Sequence, residues 1–103
     1  MVTVSSNPYP VAKMIAIVAE YYRFSYADIT GNCRLKPVSD ARHMALYLVN
    51  TFRPDLSLGA AALYFKKTHG SVFWAAKKIR RHIDAGSELG LQALELSELL
   101  KNG

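Results

Sequence analysis

Apolar residues recur at three- and four-residue steps through most of this chain, and those steps mark out helices one after another. Val11, Ile15, Val18, Ala19 and Tyr22 form the first such face, opened by Pro10, whose fixed φ and missing N–H suit a helix start. Ser25 is placed to cap a short second helix ending near Ile29, after which residues 30–37 break the period and read as an exposed loop. A third helix is expected after Ser39 as N-cap, with Asp40 near its positive end and Met44, Ala45, Leu48, Val49 and Phe52 as its buried stripe. Pro54 lies just past its end. Ser57 caps a fourth helix from Leu58 to about Phe65, and residues 66–70 connect it to a fifth, Gly70–Ile83, with Val72, Ala75, Ala76 and Ile79 facing inward. After Gly86, Ser87 opens a last helix carrying Leu91, Leu94, Leu96 and Leu99, a stripe that suits either a self-packing tail or a dimer seam. No alternating strand pattern and no internal repeat occurs. The expected fold class is all-α, a bundle of about five to six helices.

Composition narrows what such a bundle does. With 103 residues, half of them apolar and 20% charged, the chain has room for one core and little space for a deep substrate cavity, so an enzyme is not expected. The lone cysteine, Cys33, forms no internal disulfide and suits a reducing cytoplasm. No leader pattern opens the sequence, and no stretch approaches the roughly 20 apolar residues of a membrane helix, so a cytoplasmic, nucleoid-associated protein is expected.

The charge is unevenly spread. Between Ile29 and Ile83 ten basic residues face only Asp40 and Asp55, a net +8, while residues 1–28 balance and residues 84–103 carry −3. A basic middle between neutral and acidic ends is the footprint of a polyanion partner. The organisation that follows is a loose arm over 1–9, a DNA-binding domain over 10–84 and an acidic amphipathic helix over 85–103.

Two short helices separated by a few polar residues, Leu58–Phe65 and Gly70–Ile83, outline a helix-turn-helix, whose second helix enters the major groove. That groove is about 12 Å wide and accepts one helix, so the side chains at the helix start meet base edges. Thr68, His69 and Ser71 occupy that start.

At this point the residues resemble a known family, the C-terminal DNA-binding domain of the bacterial replication initiator DnaA. Ser57-Leu58 followed by Phe65-Lys66-Lys67-Thr68-His69-Gly70-Ser71-Val72 is similar to its S-L-x-x-I-G-x-x-F-G-x-R-D-H-T/S-T-V. Residues 28–34 resemble its D-L-x-x-x-x-R, residues 41–48 its P-R-Q-I-A-M-Y-L, and residues 75–79 its H-A-x-x-K-I. The resemblance implies that Arg34 enters the minor groove and that Lys36 contacts the backbone. It also implies that Arg42 matches the arginine opening the long helix, and that Lys67, His69 and Ser71 take the family's Arg, His and second Thr positions. Thr68 replaces the family's Asp and Gly70 its first Thr; both family residues help read bases, so the exact target does not carry over. The initiator's ATPase and N-terminal interaction modules have no counterpart here, and no phosphate-binding glycine loop occurs. The resemblance is thus to a DNA-reading module standing alone, with an acidic helix added after Gly86.

The residues expected on DNA are Arg34, Lys36, Arg42, Lys66, Lys67, Thr68, His69, Ser71, Lys77 and Lys78, with Arg42, Lys66, Lys77 and Lys78 anchoring phosphates, which fix register without reading sequence. His43 and His82 are expected at the surface. Of Phe73 and Trp74, one is expected in the core and the other facing the backbone. The histidines and Cys33 lack metal-ligand spacing, and no cofactor or nucleotide is expected. The expected function is sequence-specific binding of double-stranded DNA, regulating replication initiation or transcription at sites like the initiator's boxes. The alternative is a helical adaptor that binds the initiator or replication machinery, or a homodimer, through the 87–100 helix.

Overall fold

The structure, a computed structural model, describes residues 10–32 and 34–102; the arm expected over 1–9 and Cys33 lie outside the described residues. Within them the chain forms α1 (Val11–Tyr22), α2 (Tyr26–Thr30), α3 (Lys36–Phe52), α4 (Leu58–Leu63), α5 (His69–Ala85) and α6 (Glu88–Asn102), with no strand among the described residues. The all-helical bundle read from the apolar period is the architecture observed.

Local chemistry sets the helix ends. Pro10 stands in extended geometry ahead of α1. Ser25 accepts from the Asp28 N–H while the Asp28 carboxylate accepts from the Ser25 N–H, a reciprocal capping box that satisfies two otherwise orphaned donors. Ser57 caps α4 by accepting from the Ala60 N–H at 3.1 Å. One start differs from expectation. α3 begins at Lys36, not after Ser39, because Pro37 falls in its first turn, where the missing N–H has no partner to lose. The break ahead of α3 is correspondingly shorter, since α2 ends at Thr30 and α3 begins at Lys36.

α3 is the hub. It packs most extensively against α5 and then α1, and it also touches α2, α4 and α6. Met14, Ile15 and Val18 of α1, Met44, Leu48 and Val49 of α3, and Val72 and Ile79 of α5 are fully buried in one cluster. Phe65, just past α4, joins them with no exposed surface; a buried aromatic of this kind contributes about 3 kcal/mol. It pins the turn between α4 and α5 to the core.

α6 shares that core. Ala93, Leu96 and Leu100 are its buried residues, whereas Leu91, Leu94 and Leu99 are exposed. Of the four leucines read as one stripe, only Leu96 packs inward, because the helix meets α5 along a line one position removed from that stripe. The crossing is close at Gly90, where a Cβ would overlap the His82 carbonyl. Gly86 turns the corner at φ 68, a left-handed conformation that glycine adopts without steric cost. Ser87 then joins the two helices, its Oγ 2.7 Å from His82 Nδ1, so His82 is half-buried at this corner and not a plain surface residue. Tyr21 donates to the Glu95 carboxylate and Tyr22 donates to Gln92 Oε1 at 2.7 Å, which ties α6 back to α1.

Candidate nucleic-acid interface

The turn between α4 and α5 is closed by two backbone bonds around a left-handed residue. The Lys66 N–H donates to Leu63 O at 3.3 Å and the Lys67 N–H to Ala62 O at 3.1 Å, with Lys66 at φ 56. Glycine usually takes such a position, and a lysine there costs about 1 kcal/mol. The chain re-extends at Thr68 and α5 begins at His69, one residue earlier than its apolar stripe indicated. Thr68 stands at the N-cap but makes no side-chain capping bond; its Oγ1 lies 3.4 Å from Ser71 Oγ. The Ser71 N–H donates to the Thr68 carbonyl at 3.0 Å, but the Thr68 side chain offers the first-turn N–H groups of α5 no acceptor, and N–H groups at a helix start are donors suited to a phosphate. His69 beside them is exposed.

A second element is held against this turn. Lys67 Nζ donates to Asn32 Oδ1 at 2.8 Å, joining the turn to the connection between α2 and α3 that carries exposed Arg34. From the other side Arg42 braces the same loop: its Nε donates to Ile29 O at 2.9 Å and its Nη2 to Asp28 O at 2.8 Å, both at the end of α2. Arg42 is only 6% exposed. Expected to anchor a phosphate, its guanidinium is directed here to carbonyls at the end of α2. It positions the loop.

Two further cations are engaged within the protein. Asp40 accepts from Lys36 Nζ at 3.0 Å and from Lys78 Nζ at 2.8 Å, and Lys78 Nζ also lies 3.0 Å from His43 Nδ1. Burial pushes the Asp40 carboxyl up, but the bonds from Lys78 and Lys36 outweigh it and hold it below the ordinary carboxylate range. His43 is half-buried, not a surface residue as expected, and burial followed by the Lys78 charge lowers its pKa. Lys78 is half-buried against this pair while Lys66, Lys77, Arg80 and Arg81 are exposed.

Neither aromatic of α5 reaches the core. Phe73 is 50% and Trp74 62% exposed, which corrects the expectation that one of them packs inward. Their rings meet edge-to-face with centroids 5.6 Å apart, and Lys77 Nζ sits 5.3 Å from the Trp74 centroid. The signal for Trp74 lay in the spacing: Val72, Ala75, Ala76 and Ile79 define the inward face, and Trp74 falls on the opposite side of a 3.6-residue helix. Trp74 also lines an open groove between α3 and α5, with His43, Lys67, Ser71 and Arg81. Asn32 likewise went unmarked in the sequence and His43 was expected only at the surface, because each acts through a partner 35 residues away.

The structure thus brings Lys67, Thr68, His69 and Ser71 to the helix-turn-helix corner, bonds Asn32 to that corner with Arg34 exposed two residues further on, keeps Lys66 and Lys77 exposed, ties Lys36 and Lys78 to Asp40, and turns Arg42 inward. Among the described residues no group of three His, Cys, Asp or Glu side chains could hold a metal ion, and no helix is long and apolar enough to cross a membrane.

The family model described as bacterial dnaA protein helix-turn-helix matches residues 11–79. Among similar proteins, chromosomal replication initiator protein DnaA 2 of Chlamydia muridarum is 35% identical over 82 residues, 80% of this chain and 18% of its own length. Chromosomal replication initiator protein DnaA of onion yellows phytoplasma is 28% identical over 94 residues, covering 91% of this chain and 18% of that protein. The DnaA of Latilactobacillus sakei is 30% identical over 98 residues, 94% of this chain and 22% of its own. An alignment of that length necessarily takes in most of α6, so this helix has a counterpart in that relative and is not an addition, as the sequence had suggested. The chain spans about a fifth of the length of these relatives. The chain belongs to the bacterial DnaA helix-turn-helix family.

Proposed function

We propose that this domain binds double-stranded DNA sequence-specifically, with the start of α5 in the major groove and Arg34 in the adjacent minor groove, and that it acts at sites resembling the boxes of the replication initiators to which it is similar. The observation that supports this reading is the Lys67–Asn32 bond: it ties the start of the segment that carries Arg34 to the start of α5, and from there the two elements would reach adjacent grooves. An arginine entering a minor groove is favoured where an A·T-rich stretch narrows the groove and deepens its negative potential. Lys66, Lys77 and the exposed Arg80 and Arg81 would meet phosphates and supply the salt-dependent, sequence-independent share of affinity. Control of replication initiation or of transcription follows from occupying such sites, in competition with an initiator or at a promoter. No catalytic role is proposed.

The experiment is selection of bound duplexes from a random pool, followed by gel shifts of the selected site and of scrambled duplex over a salt series. Specific binding gives a selected motif and an affinity ratio well above unity at every salt. No enrichment, with equal affinity for both duplexes, would reject the reading.

One observation favours a second reading. Leu91, Leu94 and Leu99 of α6 are exposed beside Glu95 and Glu98, a face that suits an adaptor binding a protein. Retention on heparin and on duplex DNA at moderate salt separates the two, since an adaptor without a DNA site is retained on neither.

A further inference from the structure

We propose that Trp74 reads a thymine in the major groove, by contact with the base's 5-methyl group through an opening that Gly70 leaves one turn earlier on α5. The proposal rests on the duplex-binding reading above and names the base chemistry of that site.

The inward residues Val72, Ala75, Ala76 and Ile79 fix how α5 is rotated, and the opposite side carries Gly70, Trp74, Lys77 and Arg81. That side is the one a groove would meet. Trp74 is the chain's single tryptophan, and exposing 62% of so large an apolar side chain gains nothing for the fold. Nor is the ring loosely held. Phe73 abuts it edge-on at 80° and Lys77 Nζ lies 5.3 Å from its centroid, so one flank is occupied and the rest of the indole faces outward.

Gly70 adds an independent observation. Its φ is not in the left-handed region, and a Cβ built there would meet only Thr68 Oγ1, at an ordinary 3.7 Å. Neither backbone geometry nor internal packing requires glycine, although glycine weakens a helix. What the missing side chain does provide is clearance on the outer surface, directly beside Trp74 at i+4. A base edge approaching the helix start could pass between Thr68 and the indole.

Thymine is the base whose major-groove edge matches. It presents an apolar methyl next to the O4 acceptor, whereas cytosine presents an amino donor and the purines present N7 with no methyl. An indole offers an apolar ring and an N–H that only donates, complementary to both features of thymine. Stacking of single-stranded bases on the aromatic pair is the competing chemistry. Rings held at 80° form no pair of parallel shelves, which favours contact with a base edge in an intact duplex.

The test uses the full chain and its selected duplex, with each thymine replaced singly by deoxyuridine, which removes the methyl and nothing else. One replacement is expected to weaken the wild-type protein roughly fourfold, the worth of one buried methyl group. Trp74→Ala, an exposed substitution that leaves the fold intact, should bind the parent site more weakly and show no response at that position. Gly70→Leu should lose affinity for the same site with an unfolding midpoint held or raised, since glycine weakens the helix. Tryptophan emission should shift to the blue and become shielded from acrylamide on duplex binding. If every deoxyuridine duplex affects the wild type and Trp74→Ala alike while both still prefer the selected site, the thymine contact is overturned and the duplex reading stands. Stronger shielding by single-stranded oligothymidine than by the duplex overturns it in favour of stacking. Failure to select any duplex removes the functional reading and this one with it.

Discussion

Lys67 and Asn32, 35 positions apart in sequence, meet through a 2.8 Å hydrogen bond that links the helix-turn-helix corner to the loop carrying Arg34. The bond is at the surface and adds little to stability, since an exposed contact of this kind is worth well under about 1 kcal/mol. Its consequence is geometric. Arg34→Ala should therefore weaken binding to the selected site by about 1–3 kcal/mol and random duplex far less, as loss of one base contact does. Asn32→Ala should lose part of the same specificity without moving the unfolding midpoint. Gel shifts on both duplexes decide it: equal losses on selected and random DNA for Arg34→Ala would remove Arg34 from the reading role.

Arg42 behaves oppositely. Because its guanidinium is buried on the Asp28 and Ile29 carbonyls, Arg42→Ala should destabilise the fold by about 1–3 kcal/mol, the cost of stranding buried acceptors. Urea unfolding reads this directly. An unchanged midpoint with weakened DNA binding would restore Arg42 to the phosphate-contacting set.

Asp40 holds two cations that would otherwise face a polyanion. Asp40→Asn should release Lys36 and Lys78 and steepen the dependence of log affinity on log salt by up to about two units, each phosphate contact being worth about 0.9. Lys77→Ala, which removes an exposed charge, should flatten the slope by about half as much, and Lys78→Ala by less. A Lys78→Ala slope as flat as that of Lys77→Ala would mean that the Asp40 pair opens on DNA.

His43 makes stability depend on pH. Burial and the adjacent Lys78 hold its pKa below the ordinary histidine value, with Asp40 opposing and Arg42 and Lys36 adding to the effect. The unfolded chain therefore binds the proton more readily, and stability is fully present above about pH 6.5 and falls as pH drops toward the depressed value. His43→Gln should remove that part of the slope between pH 7 and 5. Parallel midpoint-versus-pH curves for the two proteins would contradict it.

Gly90 sits where α6 crosses α5, and a Cβ there would overlap the His82 carbonyl. Gly90→Ala should cost about 1–3 kcal/mol through forced separation of the two helices, despite alanine's better helix propensity. Thermal unfolding checks it; a stabilised variant would show that the crossing relaxes freely.

Much of this was legible along the chain. The period of Val11, Ile15, Val18 and Ala19, the caps at Ser25 and Ser57, and the inward set of α5 all follow from local geometry, which a helix imposes on neighbours three and four positions apart. Trp74 could have been placed by the same reasoning, and only the expectation that large aromatics are buried concealed it. Pro37 hid the true start of α3, since a proline reads equally as loop or as first helical turn.

Helix identity and order, and the inward faces of α1, α3 and α5, were settled by the residue pattern alone, because backbone bonding and the 3.6-residue period act within a few positions of each residue. Which cations stay available was settled only when distant helices met. Arg42 found carbonyls of α2, Lys78 found Asp40, and Lys67 found Asn32, and each of those partners lies 13 or more positions away. The chosen face of α6 belongs to the same class, decided by the approach that Gly90 permits rather than by the spacing of its leucines. A charge in a string of letters has no partner until folding sets the distance, and the strength of a charge pair depends on that distance and on the water removed around it.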